Sequence, residues 1–481
     1  MPARNNESLQ QYRQRIIDPK SASFCGAKWF NATTWLGSGT TASCHHPPAH
    51  QIPLEEVQEN YTAIHNTKHK KEMRRMMQTG ERPRECEYCW KMEDMNKGAV
   101  SDRTFKTIIY TDEELQAAYD ADWNANTNLK TFEIAFDRVC NLACSYCNAS
   151  FSTTWAKDIN KYGPYENLVS DGAGAFKHNG DWAQPYKDDN DNPYIQAFWK
   201  WWDNGLADSL DELRITGGEP LMSGNTWKLF DWYSKQESNM RFAINSNLIA
   251  KDSIIDKLID KAQGIKKFHI YTSCEAVGDQ AEYIRDGLVY DQWLKNVIRI
   301  LDDTNVELHV MMTINSLCLF SITEFLDQIY QLKRRTQTKK PTVSLNLLRF
   351  PSFQSPLALP NHIKDFCYEK LNSWYMANKD LPLWHEHEKA SIERLIDYLV
   401  TVDAPHRRTS NPVTLWRDFK TFYAQYDLRR NRSIKVFPSI LRDWVDSIPD
   451  TDLEINKLAE AEGWVLNPDP KNIDEALATY D

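Results

Sequence analysis

The chain has 481 residues, a formal net charge of −10 and 41% apolar content. That length suits two or three domains or one large barrel with appendages, and the acidic balance argues against a general nucleic-acid binder held by phosphate contacts. No stretch approaches the roughly 20 uninterrupted apolar residues that cross a bilayer, and the polar start MPARNNESLQQYRQR lacks an apolar signal core, so the expected location is cytoplasmic.

In chain order, residues 1–24 read as a polar lead-in with one short amphipathic stretch. Residues 25–95 hold Cys25, Cys44, Cys86 and Cys89 around a Lys-rich helical segment, Leu54 to Gln78, that ends at Gly80. Residues 96–130 read as a linker with a short helix at Asp112–Asp122. From Thr131 the pattern changes to alternating strands and helices. TFEIAF, LRIT, RFAIN, KFHIYTS, VELHVMMTI and VSLNLL read as strands. Helical patterns fall at Tyr146–Tyr162, Tyr194–Leu206, Thr226–Gln236, Asp252–Lys261, Tyr283–Leu301 and Ser321–Arg334. Strands with helical crossovers are the signature of a parallel α/β sheet. Six of them fall two units short of a closed eightfold barrel. The stretch 163–193, rich in Gly, Asp, Asn and Pro, reads as a long loop of the kind that often serves as a lid. After Pro360 the chain reads as helices at Asn361–Ala377, His385–Val402, Pro412–Leu428 and a last pair near 438–463. The division is thus 1–130, 131–350 and 351–481.

Of ten cysteines, seven lie in the first 147 residues. A cytosolic chain of this size needs no disulfides, so clustered thiols read first as metal ligands or catalytic groups. Cys274, Cys318 and Cys367 stand singly and read as buried, inert thiols. Cys140, Cys144 and Cys147 form C-x3-C-x2-C in CNLACSYC, just after the first of the six strands. Three thiolates on one tight loop suit three irons of a cubane and leave the fourth iron open. Zinc normally takes four closed ligands or His partners at other spacings. Thr216–Gly217–Gly218–Glu219–Pro220 ends the second strand, where a Gly pair lets backbone approach a ligand and a carboxylate suits an ammonium group. Both motifs sit at the C-terminal ends of strands, where α/β sheets bind ligands.

On these residues the segment from Thr131 to Phe350 resembles the radical S-adenosylmethionine (radical SAM) superfamily, with its (β/α)6 partial TIM barrel. The resemblance implies a [4Fe–4S] cluster on Cys140, Cys144 and Cys147, and a methionine-binding motif at Gly217, Gly218, Glu219 and Pro220. It implies that Tyr146 contacts the adenine and that Ser246 and Asn247, in the polar trio Asn245–Ser246–Asn247, face the site. Ser273 and Arg285, the latter expected at the start of a helix, would bind ribose and methionine carboxylate. Asn346 and Leu347 are weaker candidates for the pocket. The implied chemistry is reductive cleavage of S-adenosylmethionine to a 5′-deoxyadenosyl radical that abstracts hydrogen from a substrate.

Cys25, Cys44, Cys86 and Cys89 suit an all-thiolate site of four ligands, for which zinc and [4Fe–4S] are both chemically sound. His45 and His46, beside Cys44, could substitute as ligands, but four cysteines already complete the site and both read as a polar turn. This stretch resembles the twitch module, the shorter relative of SPASM, which implies an auxiliary [4Fe–4S] cluster. It departs from that module in preceding the barrel instead of following it. Beyond residue 360, His385 and His387 in WHEHE point apart on a helix and read as solvated surface. The segment from Arg417 to Pro438 resembles the tail of twitch-type proteins, with Arg429, Arg430 and Arg432 as a solvated face or a docking patch for an anionic substrate.

The family most often modifies peptides or proteins, so a peptide is the expected substrate, with a flavodoxin or ferredoxin as electron donor and no membrane partner. Sugar, nucleoside or nucleic-acid tailoring is the alternative among enzymes, and a non-enzymatic binding protein with structural metal sites the alternative outside them. Similar proteins are frequent in bacteriophage genomes.

Overall fold

The computed structural model describes residues 7–95, 99–400 and 412–461. The first six residues of the lead-in, 96–98 of the linker, and 401–411 and 462–481 of the C-terminal region lie outside the described residues. The chain folds as two compact units: one takes the chain up to Asp137 with Trp182–Ile244, the other Arg138–Asp181 with the chain from Asn245. All six strands expected from Thr131 onward form.

In the first unit, strand Thr131–Ala135 pairs in parallel with Glu212–Thr216, which pairs in parallel with Arg241–Ser246. On the other side of Thr131–Ala135 the N-terminal region contributes strand Asn31–Trp35, in parallel with Asn31 opposite Thr131. The antiparallel strands Thr40–Ala42 and His50–Gln51 continue from it. NATTW alternates half-buried and buried positions, as a strand covered on one face does, and Thr34 meets Thr41 on the neighbouring strand at 3.1 Å between hydroxyls. The expected Leu54–Gln78 helix is broken into Leu54–Glu59, a 3-10 turn Tyr61–Ile64, and Lys68–Thr79. Asn60 and Thr67 cause the breaks: their side chains accept from Thr62 N and Lys70 N, offering the backbone local caps in place of helix continuation. Gly80 ends the last piece at φ +84°. Tyr12, Ile17, Phe24, Trp29, Met77 and Leu115 are the centre of this module's core.

That core also holds buried basic groups and neutral imidazoles. Lys70 and Arg74 are buried; Lys70 Nζ donates to Thr41 Oγ1 at 2.9 Å and Arg74 Nη1 to Asn66 Oδ1 at 3.0 Å. Burial, with Lys70 and Arg74 adding to it, holds His65 well below the usual imidazole range, and burial with Lys70 pushes His50 down to about 3. Both rings stay neutral in the folded chain, whereas the unfolded chain takes up their protons near pH 6.5. The unfolded state therefore binds more protons between about 3 and 6.5, and stability falls as pH drops through that window. Urea midpoints should decline from pH 7 to pH 5.5, where carboxylates remain ionised, and His50→Gln should flatten the decline. Midpoints flat across that range in the wild type would contradict this account.

In the second unit, Phe268–Ser273, Glu307–Ile314 and Thr342–Leu347 form a parallel ladder with Glu307–Ile314 in the middle. That central strand alternates strictly between half-buried and buried. Helices Asp252–Ala262, Tyr290–Asp303 and Ile322–Thr336 belong to this unit. The Tyr283–Leu301 pattern, expected as one helix, is two: Gly278–Ile284 and Tyr290–Asp303. Between them Arg285–Asp286 pairs antiparallel with Ala143–Cys144. Gly287 makes the exit, at φ +97° with a hypothetical Cβ 2.9 Å from Asn141 O, so a side chain there would be both strained and blocked.

Two contacts tie the C-terminal helices in. Glu388 and Lys333 are both fully buried and 3.0 Å apart, and Glu388 also accepts from Val343 N at 2.7 Å, joining helix Glu386–Val400 to the sheet. Asp418, on helix Pro412–Arg430, accepts from Val169 N, Ser170 N and Ser170 Oγ at 2.9, 2.7 and 2.6 Å. Tyr165 and Phe176 pack on Phe422 at ring distances of 5.0 and 4.9 Å. Tyr165, Val169, Ser170 and Phe176 of the long 163–193 stretch are thus packed on this helix. The arginine patch is also corrected. Arg429 lies 3.9 Å over the Tyr165 ring and donates to Gly163 O at 2.8 Å, while Arg430 lies 4.4 Å over Trp155 and donates to Tyr165 OH at 2.6 Å. Their aromatic surroundings and the shared Asp158 keep both side chains buried. Arg432 is the more exposed of the three and pairs with Asp286 at 3.4 Å.

Candidate functional site: two cysteine clusters

The CNLACSYC segment is not the start of a helix, as the Tyr146–Tyr162 pattern had it; the helix begins at Thr153. Ser152 caps that helix and its hydroxyl also donates to Leu142 O at 2.7 Å. Trp155 Nε1 donates to Cys144 O at 2.9 Å, and Cys147 N donates to Cys144 O at 2.9 Å. The loop is thus held by its backbone, leaving its sulfurs to one another and to a few donors. Leu142 N lies 3.5 Å and Asn247 Nδ2 4.0 Å from Cys140 Sγ. Arg285 Nη1 lies 3.7 Å from Cys144 Sγ. Burial, with the neighbouring Cys144 and Cys140, pushes the Cys147 thiol up. Such donors stabilise sulfur in its thiolate form, the form that ligates metal.

Beside the loop is a buried charged pair whose acidic half the sequence reading did not name. Arg285 meets Glu275 in a fork, Nε to both carboxylate oxygens at 3.1 Å and Nη2 to Oε2 at 2.6 Å, and both residues are buried. Tyr146 OH donates to Glu275 Oε1 at 3.1 Å, and the Arg285 guanidinium lies 5.5 Å over the Tyr146 ring. Arg285 follows a helix end instead of starting a helix, and its fork is engaged by Glu275. A signal for Glu275 was present: an acid two residues beyond Ser273, which ends strand Phe268–Ser273. Asn247 Nδ2 donates to Asn141 Oδ1 at 2.9 Å, and Ser246 Oγ accepts from Leu248 N at 3.0 Å. Asn346 is exposed and Leu347 half-buried near the end of their strand.

The cysteine loop, Tyr146, Ser246, Asn247, Ser273 and Arg285 belong to the second unit, and the Gly217–Pro220 turn to the first. Gly217 has φ +112°, and a Cβ there would sit 2.6 Å from Asp137 O, so only glycine fits. Gly218 N donates to Asp137 O at 3.3 Å. Glu219 is buried and its Oε1 accepts from Leu221 N at 3.1 Å, capping the 3-10 turn Pro220–Met222.

The second cluster lies wholly in the first unit. Cys25, Cys44, Cys86 and Cys89 line one cavity together with Lys28 and Arg103. Cys25 precedes the short helix Ala27–Phe30, Cys44 follows strand Thr40–Ala42, and Cys86 and Cys89 open helix Glu87–Asp94. Backbone amides of Ala27, His46 and Arg103 donate to Cys25, Cys44 and Cys89. Burial pushes all four thiols up, Cys86 to about 12. Lys28 is buried and pairs with Glu85, whose carboxylate beside it holds the ammonium up against its desolvation.

The donor sets fit metal. Three thiols on one loop suit three irons of a cubane, and for the four thiols of the other cavity zinc and [4Fe–4S] are both chemically sound.

No family model and no curated protein matches the chain in sequence. Among solved structures it is similar to Streptococcus suis SuiB bound to S-adenosylmethionine, at 14% identity and TM-score 0.32, covering 63% of this chain and 62% of that one. It is similar also to SuiB bound to precursor peptide SuiA, at 11% identity and TM-score 0.33, covering 73% of this chain and 70% of that one. The chain thus spans about three fifths of the first of these. At such scores the reading of the site rests on its own residues.

Proposed function

We propose that the chain is a radical SAM enzyme. In this reading it cleaves S-adenosylmethionine reductively to a 5′-deoxyadenosyl radical that abstracts hydrogen from a peptide or protein, with electrons from a flavodoxin or ferredoxin in the cytoplasm. The observation that carries it is the convergence of Cys140, Cys144 and Cys147 on one braced loop with donors on two of the three sulfurs. Those three residues would hold a [4Fe–4S] cluster, which supplies one-electron reduction of the sulfonium of S-adenosylmethionine. Arg285 and Asn247 fix the thiolates that carry it, and Tyr146, anchored on Glu275, presents a ring to the nucleoside. Gly217 to Pro220, Ser246, Asn247 and Ser273 are the proposed binding residues for S-adenosylmethionine. Cys25, Cys44, Cys86 and Cys89 would hold a second [4Fe–4S] cluster in a twitch-like module at 1–130, ahead of a partial barrel at 131–350 and helices at 351–481. Four ligands leave that cluster no open iron, so electron transfer suits it better than substrate binding.

Anaerobically reconstituted protein should carry about eight irons per chain, four per cubane. On reduction it should convert S-adenosylmethionine to 5′-deoxyadenosine. One zinc bound by sulfur, about four irons and no deoxyadenosine would sink both halves of the proposal; deoxyadenosine with about four irons and sulfur-bound zinc would sink only the second cluster.

A further inference from the structure

At the rim of the N-terminal cysteine cavity three further donors meet. His46 Nε2 lies 2.6 Å and His45 Nε2 3.2 Å from the same oxygen, Asp102 Oδ2. One ligand atom from each of the three falls within 4.8 Å of the others. The His45 ring is 59% exposed and the Asp102 carboxylate 35%, so solvent reaches the group from one side. On the other side His46 is stacked on Tyr88 at 3.9 Å and nearly parallel, which fixes its ring plane. Asp102 opens helix Asp102–Thr107, and its neighbour Arg103 is locked to Glu93 at 2.7 Å. Two imidazoles and one carboxylate with an open side form a three-ligand set that accepts a divalent transition ion plus water.

We propose that His45, His46 and Asp102 form a separate binding site for a divalent transition-metal ion of the zinc type. Metal–nitrogen and metal–oxygen bonds of about 2.0–2.2 Å place tetrahedral ligand atoms roughly 3.3 Å apart. The His45–Asp102 separation of 3.2 Å already meets this, and the His46–Asp102 contact of 2.6 Å needs to open by well under an ångström. The set contains no thiolate, so it is chemically distinct from the cysteines it borders, and it stands whether or not those cysteines hold a cluster. His46 and Asp102 both line the cysteine cavity, which puts a bound ion at its solvent-facing rim.

The test uses full-length protein, anaerobically loaded with iron, given one equivalent of Zn²⁺ and desalted. Zinc K-edge absorption fine structure should show one zinc per chain with a nitrogen/oxygen shell at about 2.0–2.1 Å and no sulfur shell near 2.3 Å. A variant carrying His45→Ala and Asp102→Asn should lose that zinc and keep its iron. Zinc seen only with sulfur, no zinc retained by the wild type, or equal zinc in the variant would each overturn the proposal. The coordination shell of the wild type decides the matter even if the variant misfolds.

Discussion

Replacing Cys140, Cys144 and Cys147 together by Ala should reduce 5′-deoxyadenosine formation to background while leaving about half of the iron in place, one cubane of two. The geometry predicts both halves. The three thiols sit on one loop of the second unit, so removing them strips every proposed ligand of the first cluster. Cys25, Cys44, Cys86 and Cys89 line one cavity of the first unit, and Cys25, Cys44 and Cys89 keep their amide donors. Alanine preserves the bonds that brace the loop, since Trp155 Nε1, the Ser152 hydroxyl and Cys147 N all donate to main-chain oxygens of the loop. Undiminished deoxyadenosine from the triple variant would falsify the assignment. Complete loss of iron would instead show that the two clusters depend on one another.

The second large effect concerns Glu275. Deleting one partner of a buried ion pair costs about 3–5 kcal/mol, because the other charge is left without water or counterion. Glu275→Ala strands the Arg285 guanidinium and removes the acceptor of Tyr146 OH. Its urea midpoint should fall far more than that of Glu275→Gln, which keeps an acceptor. The double variant Glu275→Leu, Arg285→Met should recover much of the loss. A loss under about 1 kcal/mol for Glu275→Ala, as for a screened surface pair, would show that solvent reaches the pair.

The parts of the fold with strong period and length were legible in the sequence. VELHVMMTI alternates so strictly that its strand could be placed to the residue at its C-terminal end, Ile314. The cysteine count likewise singled out Cys25, Cys44, Cys86 and Cys89, which the fold gathers on one cavity. What escaped depends on tertiary contact. Nothing local in Arg429 or Arg430 distinguishes a solvated cation from one sandwiched between Trp155, Tyr165 and Asp158, more than 250 residues earlier. The break in the Tyr283–Leu301 pattern is imposed by a two-residue pairing with Ala143–Cys144, and Gly287 was its single local trace. Glu275 was missed for a related reason. An acid after a strand looks like any solvated turn until the arginine ten residues on folds back over it.

The contact between Asp418 and Val169 spans 249 residues, and this bears on how the protein is made. Translation at about 5–20 residues per second separates the two segments by roughly 12–50 s. Helix Pro412–Arg430 supplies Phe422 and Arg430, which cover Trp155, the residue that holds Cys144 O. The thiols of the cysteine loop are therefore among the early residues to leave the ribosome in this unit, while the helix that closes over their support is among the last. For that interval the loop lacks this cover, and its thiols are open to metal and to oxidant alike before the unit closes.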